Sequence, residues 1–293
     1  MSRPLVASLF LAVIAAACGG ESQAGESPEL RFTAIPDDNA TELGARMQPV
    51  AEYLSAELGV ALTYVPVSNY SASVDAFKNG DVQLAWFGGL TGAQARAAVP
   101  DSRAIAQGAI DPTYKSYFIA HVSTGIEPTD EFPQAFEGTR FSFGSESLTS
   151  GRLMPEHFIR TYVGVAPREF FGAPNSYSGS HDKTALLVAA GTFETGALSY
   201  KTYDKLVAEG RIDPDVCGVI WTTPEYADYN WTAHPMLDEQ FGAGFTDRLQ
   251  AALTGMQQPE LLAAVLRPEG LIPAENADFA ELEALARELG FLR

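Results

Sequence analysis

The residues with the clearest chemical potential are Ser145, Ser147, Thr149 and Ser150, a hydroxyl cluster followed directly by Gly151. They lie in Phe141–Phe158, FSFGSESLTSGRLMPEHF, which reads as a short apolar strand, a run of small hydroxyl residues and then a helix. A helix start leaves amide hydrogens unpaired and carries a partial positive charge, so it favours anions. Neutral hydroxyls beside those amides add donors without adding a cation, and a glycine lets the backbone approach a bound group. The chemistry expected of this turn is the capture of a small oxyanion. The same residues also suit an ordinary helix cap, where Ser and Thr satisfy the first turn. One cap does not need this many hydroxyls.

The elements that must position the turn follow from the pattern on either side. Leu30–Ile35 alternates as a strand. Leu43, Met47, Val50, Ala51, Leu54 and Leu58 recur at helical spacing, with Pro49 expected to kink or restart the helix. Ala61–Val67 reads as a second strand and Ser71–Phe77 as a helix stopped at Asn79-Gly80. Val82–Trp86 is the near-continuous apolar run of a buried parallel strand. It leads through Phe87-Gly88-Gly89 to Thr91 and a helix over Gly92–Ala98, a second strand–glycine turn–helix with a hydroxyl at the helix start. Helices are expected over Thr184–Ala190, Thr202–Glu209, Phe245–Leu253, Pro259–Leu266 and Asp278–Leu289, with strands over Gly196–Ser199 and Val216–Trp221. Leu271-Ile272-Pro273 reads as an apolar turn. The alternation implies an α/β fold with helices on both faces of mostly parallel sheets, and ligands in such folds sit beyond the carboxyl ends of strands.

Composition sets the bounds. The chain has 293 residues, 46% hydrophobic and 19% charged, enough for a large core or two lobes. A net charge of −18 argues against nucleic acid and against an anionic membrane surface as partners. It does not forbid an anion site, because surface charge is screened over about 8–10 Å while a buried pocket answers to its own dipoles.

Residues 1–17 read as a signal peptide: Arg3, the apolar run Leu5–Ala17, then Cys18-Gly19-Gly20. A cysteine in that place resembles a bacterial lipoprotein signal, so Cys18 is the expected lipidation site. An ordinary secretory cleavage nearby is the alternative. Residues 18–28 are polar and Gly/Ser-rich, as a tether would be. Cys217 then remains as a single thiol, and without a CxxC or Cys/His cluster neither a disulfide, a metal nor a cofactor is expected.

Three stretches together resemble the phosphate/phosphite/phosphonate-binding proteins of ABC importers: Val82–Thr91 (VQLAWFGGLT), Ser147–Gly151 (SLTSG) and Gly179–Asp182 (GSHD). Trp221–Trp231 (WTTPEYADYNW) resembles the selenate-binding branch. The resemblance spans roughly residues 30–293. It implies a two-lobed, type II-like periplasmic binding protein with crossing strands near Ile119–Val122 and Trp221–Pro224. Residues 29–119 plus 224–293 would then form one lobe and 120–223 the other. It further implies ligand contacts at Ser147, Thr149 and Ser150, although Leu148 stands where a Ser is common. Thr91 would sit at the opposed helix start, Phe87 as an aromatic wall, and Tyr70 and Tyr226 at the pocket. Ser180 and His181 would approach the anion, with Glu194 as the acid downstream of that histidine. A core role for each aromatic, and a surface role for Glu146 and Glu194, stand beside these readings.

The function so implied is that of a monomeric, lipid-anchored periplasmic protein that hands an oxyanion to an ABC permease and does no chemistry. A sensing subunit of a membrane signalling protein is the alternative. A serine hydrolase is disfavoured, because no GxSxG elbow exists and the adjacent His181 and Asp182 cannot form the relay. An acid at the anion would restrict the ligand to one that is protonated or carries an amine.

Overall fold

A computed structural model of the chain describes residues 28–37 and 40–292. The signal peptide, Cys18 and nearly all of the tether therefore lie outside the described residues. Two mixed sheets carry the fold. The first has six strands in the order β11-β4-β10-β3-β1-β2: β1 (Leu30–Ala34), β2 (Leu62–Tyr64), β3 (Leu84–Phe87), β4 (Arg103–Gly108), β10 (Asn230–Ala233) and β11 (Leu271–Pro273). The second has five in the order β7-β6-β8-β5-β9: β5 (Ser116–His121), β6 (Phe141–Phe143), β7 (Ser176–Tyr177), β8 (Thr195–Ser199) and β9 (Cys217–Thr222).

β1 runs parallel to β2 and β3, with Phe32 beside Leu84 and Ala34 beside Trp86. This is the expected buried parallel arrangement, and all four residues of β3 are buried. β10 inserts antiparallel between β3 and β4, seating Trp231 against Trp86. Leu271–Pro273, expected as a turn, is β11, an edge strand antiparallel to β4. Its proline tolerates that place because an edge strand leaves one row of amides unpaired.

Helices α1 (Ala40–Leu58), α2 (Tyr70–Lys78) and α3 (Gly89–Ala98) belong to the first lobe. α1 runs unbroken past Pro49, which is exposed on the solvent side. α2 is capped by Asn69, whose side chain accepts from the Ala72 amide at 2.9 Å. α4 (Met154–Val163) follows β6 in the second lobe.

The chain passes between lobes earlier than the sequence pattern implied. β5 lies wholly in the second sheet, so the outward crossing falls at 109–115 rather than at Ile119–Val122. The return falls at 223–229. The two crossings pair through Tyr114 and Tyr226, whose amides donate to each other's carbonyls at 2.9 and 3.0 Å. An apolar cluster also bridges the lobes. Leu90 and Ala93 of α3 share it with Phe118 and Phe143 of the second sheet and with Leu282 and Ala286 of the C-terminal helix Ala280–Glu288.

Candidate functional site

Between the lobes lies a narrow cavity, closed so tightly that it has no room for a water molecule. On the second-lobe side it is built by the hydroxyl stretch. β6 ends at Phe143, and the chain enters α4 through a π turn over Thr149–Leu153 rather than through an ordinary α-helical start. The wider turn closes with the Leu153 amide donating to the Leu148 carbonyl at 3.0 Å. π turns are rare and are found mostly at functional sites. Ser147, Leu148, Thr149 and Ser150 line the cavity. Gly151 is needed for close approach: a Cβ there would meet the His181 ring at 3.2 Å.

On the first-lobe side stand Ile35 after β1, Tyr70 at the start of α2, and Gly88 and Thr91 at the start of α3. The lobes touch directly around the cavity. The Leu90 amide donates to Thr149 Oγ1 at 3.0 Å, and the Ser71 and Ser147 hydroxyls are 3.3 Å apart. The amides at the start of α3 are thus partly used by protein groups, so the opposed helix termini do not both stand free. The Thr91 hydroxyl donates to the Gly88 carbonyl at 3.1 Å, leaving its oxygen able to accept. Tyr70 donates to Asp37 Oδ1 at 2.6 Å, which fixes its ring at the wall.

His181 opens the helix His181–Ala189 and is 1% exposed. Its Nδ1 accepts from the Ser199 amide at 3.2 Å, so the neutral ring carries its proton on Nε2. Nε2 is buried and has no protein partner. Burial pushes the pKa down to about 3, so the ring stays neutral. It is a neutral donor held at the cavity wall with no partner among the described residues, at a cost of about 1–3 kcal/mol.

The acid at the site is Asp228, 1% exposed, near the end of the return crossing. Its Oδ1 accepts from the Gly89 amide at 2.8 Å and its Oδ2 from the Ser150 hydroxyl at 2.6 Å. Burial lifts its pKa to about 7, against the opposing pull of those hydrogen bonds. Tyr229, the next residue, completes the wall and stacks on Trp86 with ring centroids 5.5 Å apart. Among the described residues, no Lys or Arg lines this cavity.

Several residues named from the sequence fall elsewhere. Glu194 lies at the far end of β8 from the site. Its side chain is 38% exposed, accepts from the Arg140 amide at 2.7 Å and pairs with the Arg140 guanidinium at 3.6 Å. Spacing after the histidine could not reveal that the strand between them carries Glu194 away. Glu146 is exposed. Phe87 turns into the first-lobe core against Phe77 at 5.6 Å, and the aromatic wall is formed by Tyr70 and Tyr229 instead. Ser180 stands at the N-cap position of its helix, and its hydroxyl donates to the Asp182 carboxylate rather than facing the cavity. Tyr226 stands one layer behind: its hydroxyl meets Ser116 Oγ at 2.6 Å, and Ser116 donates to the Ser150 carbonyl at 2.8 Å. Asp228 and Tyr229 were not singled out as contacts. The available signal was an acid flanked by Ala227 and Tyr229 directly after a crossing.

The comparisons agree with this architecture. Residues 32–279 match the family described as the ABC transporter, phosphonate, periplasmic substrate-binding protein. The probable ABC transporter phosphite binding protein PhnD1 of Prochlorococcus marinus is 36% identical over 270 residues, covering 90% of this chain and 91% of that protein. The solved structure of PhnD1 in complex with methylphosphonate superposes with a TM-score of 0.84, covering 89% of this chain and 98% of that one. The phosphate-import protein PhnD of Mycolicibacterium smegmatis is 26% identical over 79% of this chain and 76% of its own length. The chain is a substrate-binding protein and not an enzyme, and it belongs to the phosphonate-binding family of ABC-transporter periplasmic substrate-binding proteins.

Proposed function

We propose that this chain delivers a small phosphorus oxyanion, phosphite or a short phosphonate such as methylphosphonate, to its ABC permease, and that it recognises the singly protonated anion. The observation that carries this reading is Asp228 at the cavity wall with its pKa raised to about 7. A carboxylate against an anion is tolerable only if one proton is shared between them. Phosphite, phosphonates and phosphate hold such a proton near neutral pH, whereas sulfate and selenate do not. The hydroxyls of Ser147, Thr149 and Ser150 and the free Nε2–H of His181 supply neutral contacts for the remaining oxygens. Thr91, Tyr70 and Tyr229 shape the rest of the wall.

With the lobes as they stand the cavity has no room for a water molecule, so a tetrahedral anion enters only as the lobes part and is enclosed as they close on it. Binding stabilises the closed pair of lobes, the form presented to the permease. The names of the P. marinus and M. smegmatis relatives, phosphite binding and phosphate import, point to the same ligand class. Lipid anchoring through Cys18 and a monomeric state complete the proposal. A thermal-shift screen against phosphite, methylphosphonate, aminoethylphosphonate, phosphate, sulfate and selenate tests it. A true ligand at 100 times its Kd adds about 2.7 kcal/mol of stability. Selenate or sulfate giving the largest shift would refute it.

A further inference from the structure

Among the described residues the anion cavity has no cation in its lining, yet a buried arginine lies one layer behind it. Arg267 is 2% exposed and lines a second cavity, separated from the first by Tyr229 and Ile35, which line both. Its guanidinium carbon sits 4.5 Å from the centre of the Tyr229 ring, 5.2 Å from Trp86 and 5.5 Å from Tyr114. Its Nη2 pairs with Asp111 Oδ1 at 2.6 Å, and Asp111 is fully buried. The Asp111 main-chain carbonyl in turn accepts from the Asp228 amide at 3.1 Å.

The chain is shaped to hold the guanidinium there. Leu266 takes a left-handed φ of 54°, uncommon for a residue with a side chain, and turns Arg267 inward. A Cβ at Gly108 would meet Arg267 Cδ at 2.3 Å, so only glycine fits under it. A buried ion pair is a poor source of stability compared with apolar packing of equal volume. Its presence directly behind two consecutive wall residues calls for a role in the site.

We propose that Arg267 is a positioning residue of the anion site. It holds the Asp228–Tyr229 wall through Asp111, and it places positive charge against the Tyr229 ring that lines the cavity. An aromatic face carries negative potential and repels an anion brought against it. A cation held against the ring offsets that repulsion. The site thereby gains the attraction of an arginine without direct contact, and the pocket lining keeps its neutral donors. This rests on the reading of the cavity as a phosphite site.

The test is calorimetric titration of phosphite into the whole protein and its variants, with circular dichroism as the check on folding. Arg267→Met combined with Asp111→Asn removes the pair without stranding either charge. It should weaken phosphite binding at least tenfold, while Arg267→Lys, which keeps the cation, should stay within about threefold of the parent. Should the double variant not fold, Arg267→Gln combined with Asp111→Asn replaces it with the same expectation. A folded neutral variant that binds phosphite within twofold of the parent overturns the proposal, as does Arg267→Lys binding no better than the neutral variants. Loss of folding in every neutral variant also overturns it, in favour of a purely structural ion pair. If the parent chain itself fails to bind phosphite, the reading of the site falls instead, so the two failures are distinct.

Discussion

The Leu90 amide donates across the cleft to Thr149 Oγ1 at 3.0 Å, so one hydroxyl on the second lobe anchors the helix start on the first. Thr149 also lines the cavity, so on the proposed function one side chain serves both closure and ligand contact. Thr149→Ala should weaken phosphite binding about tenfold, the equivalent of about 1.4 kcal/mol. The unliganded melting temperature should move by no more than about 2–4 °C, since each lobe keeps its own core. Calorimetry and a thermal melt on the same sample check both. A large drop in the unliganded melt with intact binding would make Thr149 a helix cap only.

His181→Asn isolates the role of Nε2. Asparagine keeps an acceptor near the place of Nδ1 for the Ser199 amide and deletes the unpartnered donor. Phosphite affinity should fall tenfold or more, on the order expected for a lost hydrogen bond to a charged group. The unliganded chain should melt within a few degrees of the parent. Unchanged affinity would remove His181 from the site.

Asp228 and His181 give the unliganded stability opposite slopes with pH. The Asp228 pKa is raised from 3.8 to about 7 in the fold. The folded state therefore holds the proton more tightly, and stability present below about pH 4 is lost as pH rises to about 7. The upper limit of that loss is roughly 4 kcal/mol. His181 is lowered from 6.5 to about 3, so its contribution is present above about pH 6.5 and is lost as pH falls toward 3. The two slopes partly cancel in the parent. In Asp228→Asn only the histidine arm remains, so the unliganded melting temperature should climb between pH 4 and 6.5 and then level. A variant profile parallel to that of the parent would show that Asp228 does not titrate in this range.

Gly151→Ala tests the tight seat of the histidine. Its Cβ would lie 3.2 Å from His181 Cε1 and 3.3 Å from Nδ1, close enough to displace the ring by a few tenths of an ångström. The expected result is a several-fold loss of phosphite affinity with a cost to stability of about 1 kcal/mol, within the range for overpacking. Parental affinity would mean that the ring can shift without harm.

The α/β alternation and the hydroxyl turn were legible because short-range signals carry them: β3 is a continuous apolar run, and Ser147, Thr149 and Ser150 are near neighbours in the chain. Tyr70 was legible too, as an aromatic at a strand-to-helix edge. What sequence could not give is what depends on distant pairing. Glu194 and Asp228 are both acids near hydroxyl or histidine motifs. Only the direction of β8 carries Glu194 outward, and only the return crossing brings Asp228 to the α3 start. β11 was missed because its three residues acquire strand geometry only by pairing with β4. The family resemblance implies Phe87 as a wall residue, but its ring packs on Phe77 in the core, and Tyr229 lines the cavity instead.

The most direct measurement is calorimetric titration of phosphite and of sulfate into the unliganded protein at about pH 6.5, repeated with Asp228→Asn. If a shared proton at Asp228 governs recognition, the parent chain prefers phosphite by about a hundredfold, or about 2.7 kcal/mol, and the asparagine variant narrows that gap. Sulfate bound as tightly as phosphite by the parent chain, or a preference that survives Asp228→Asn unchanged, would contradict it.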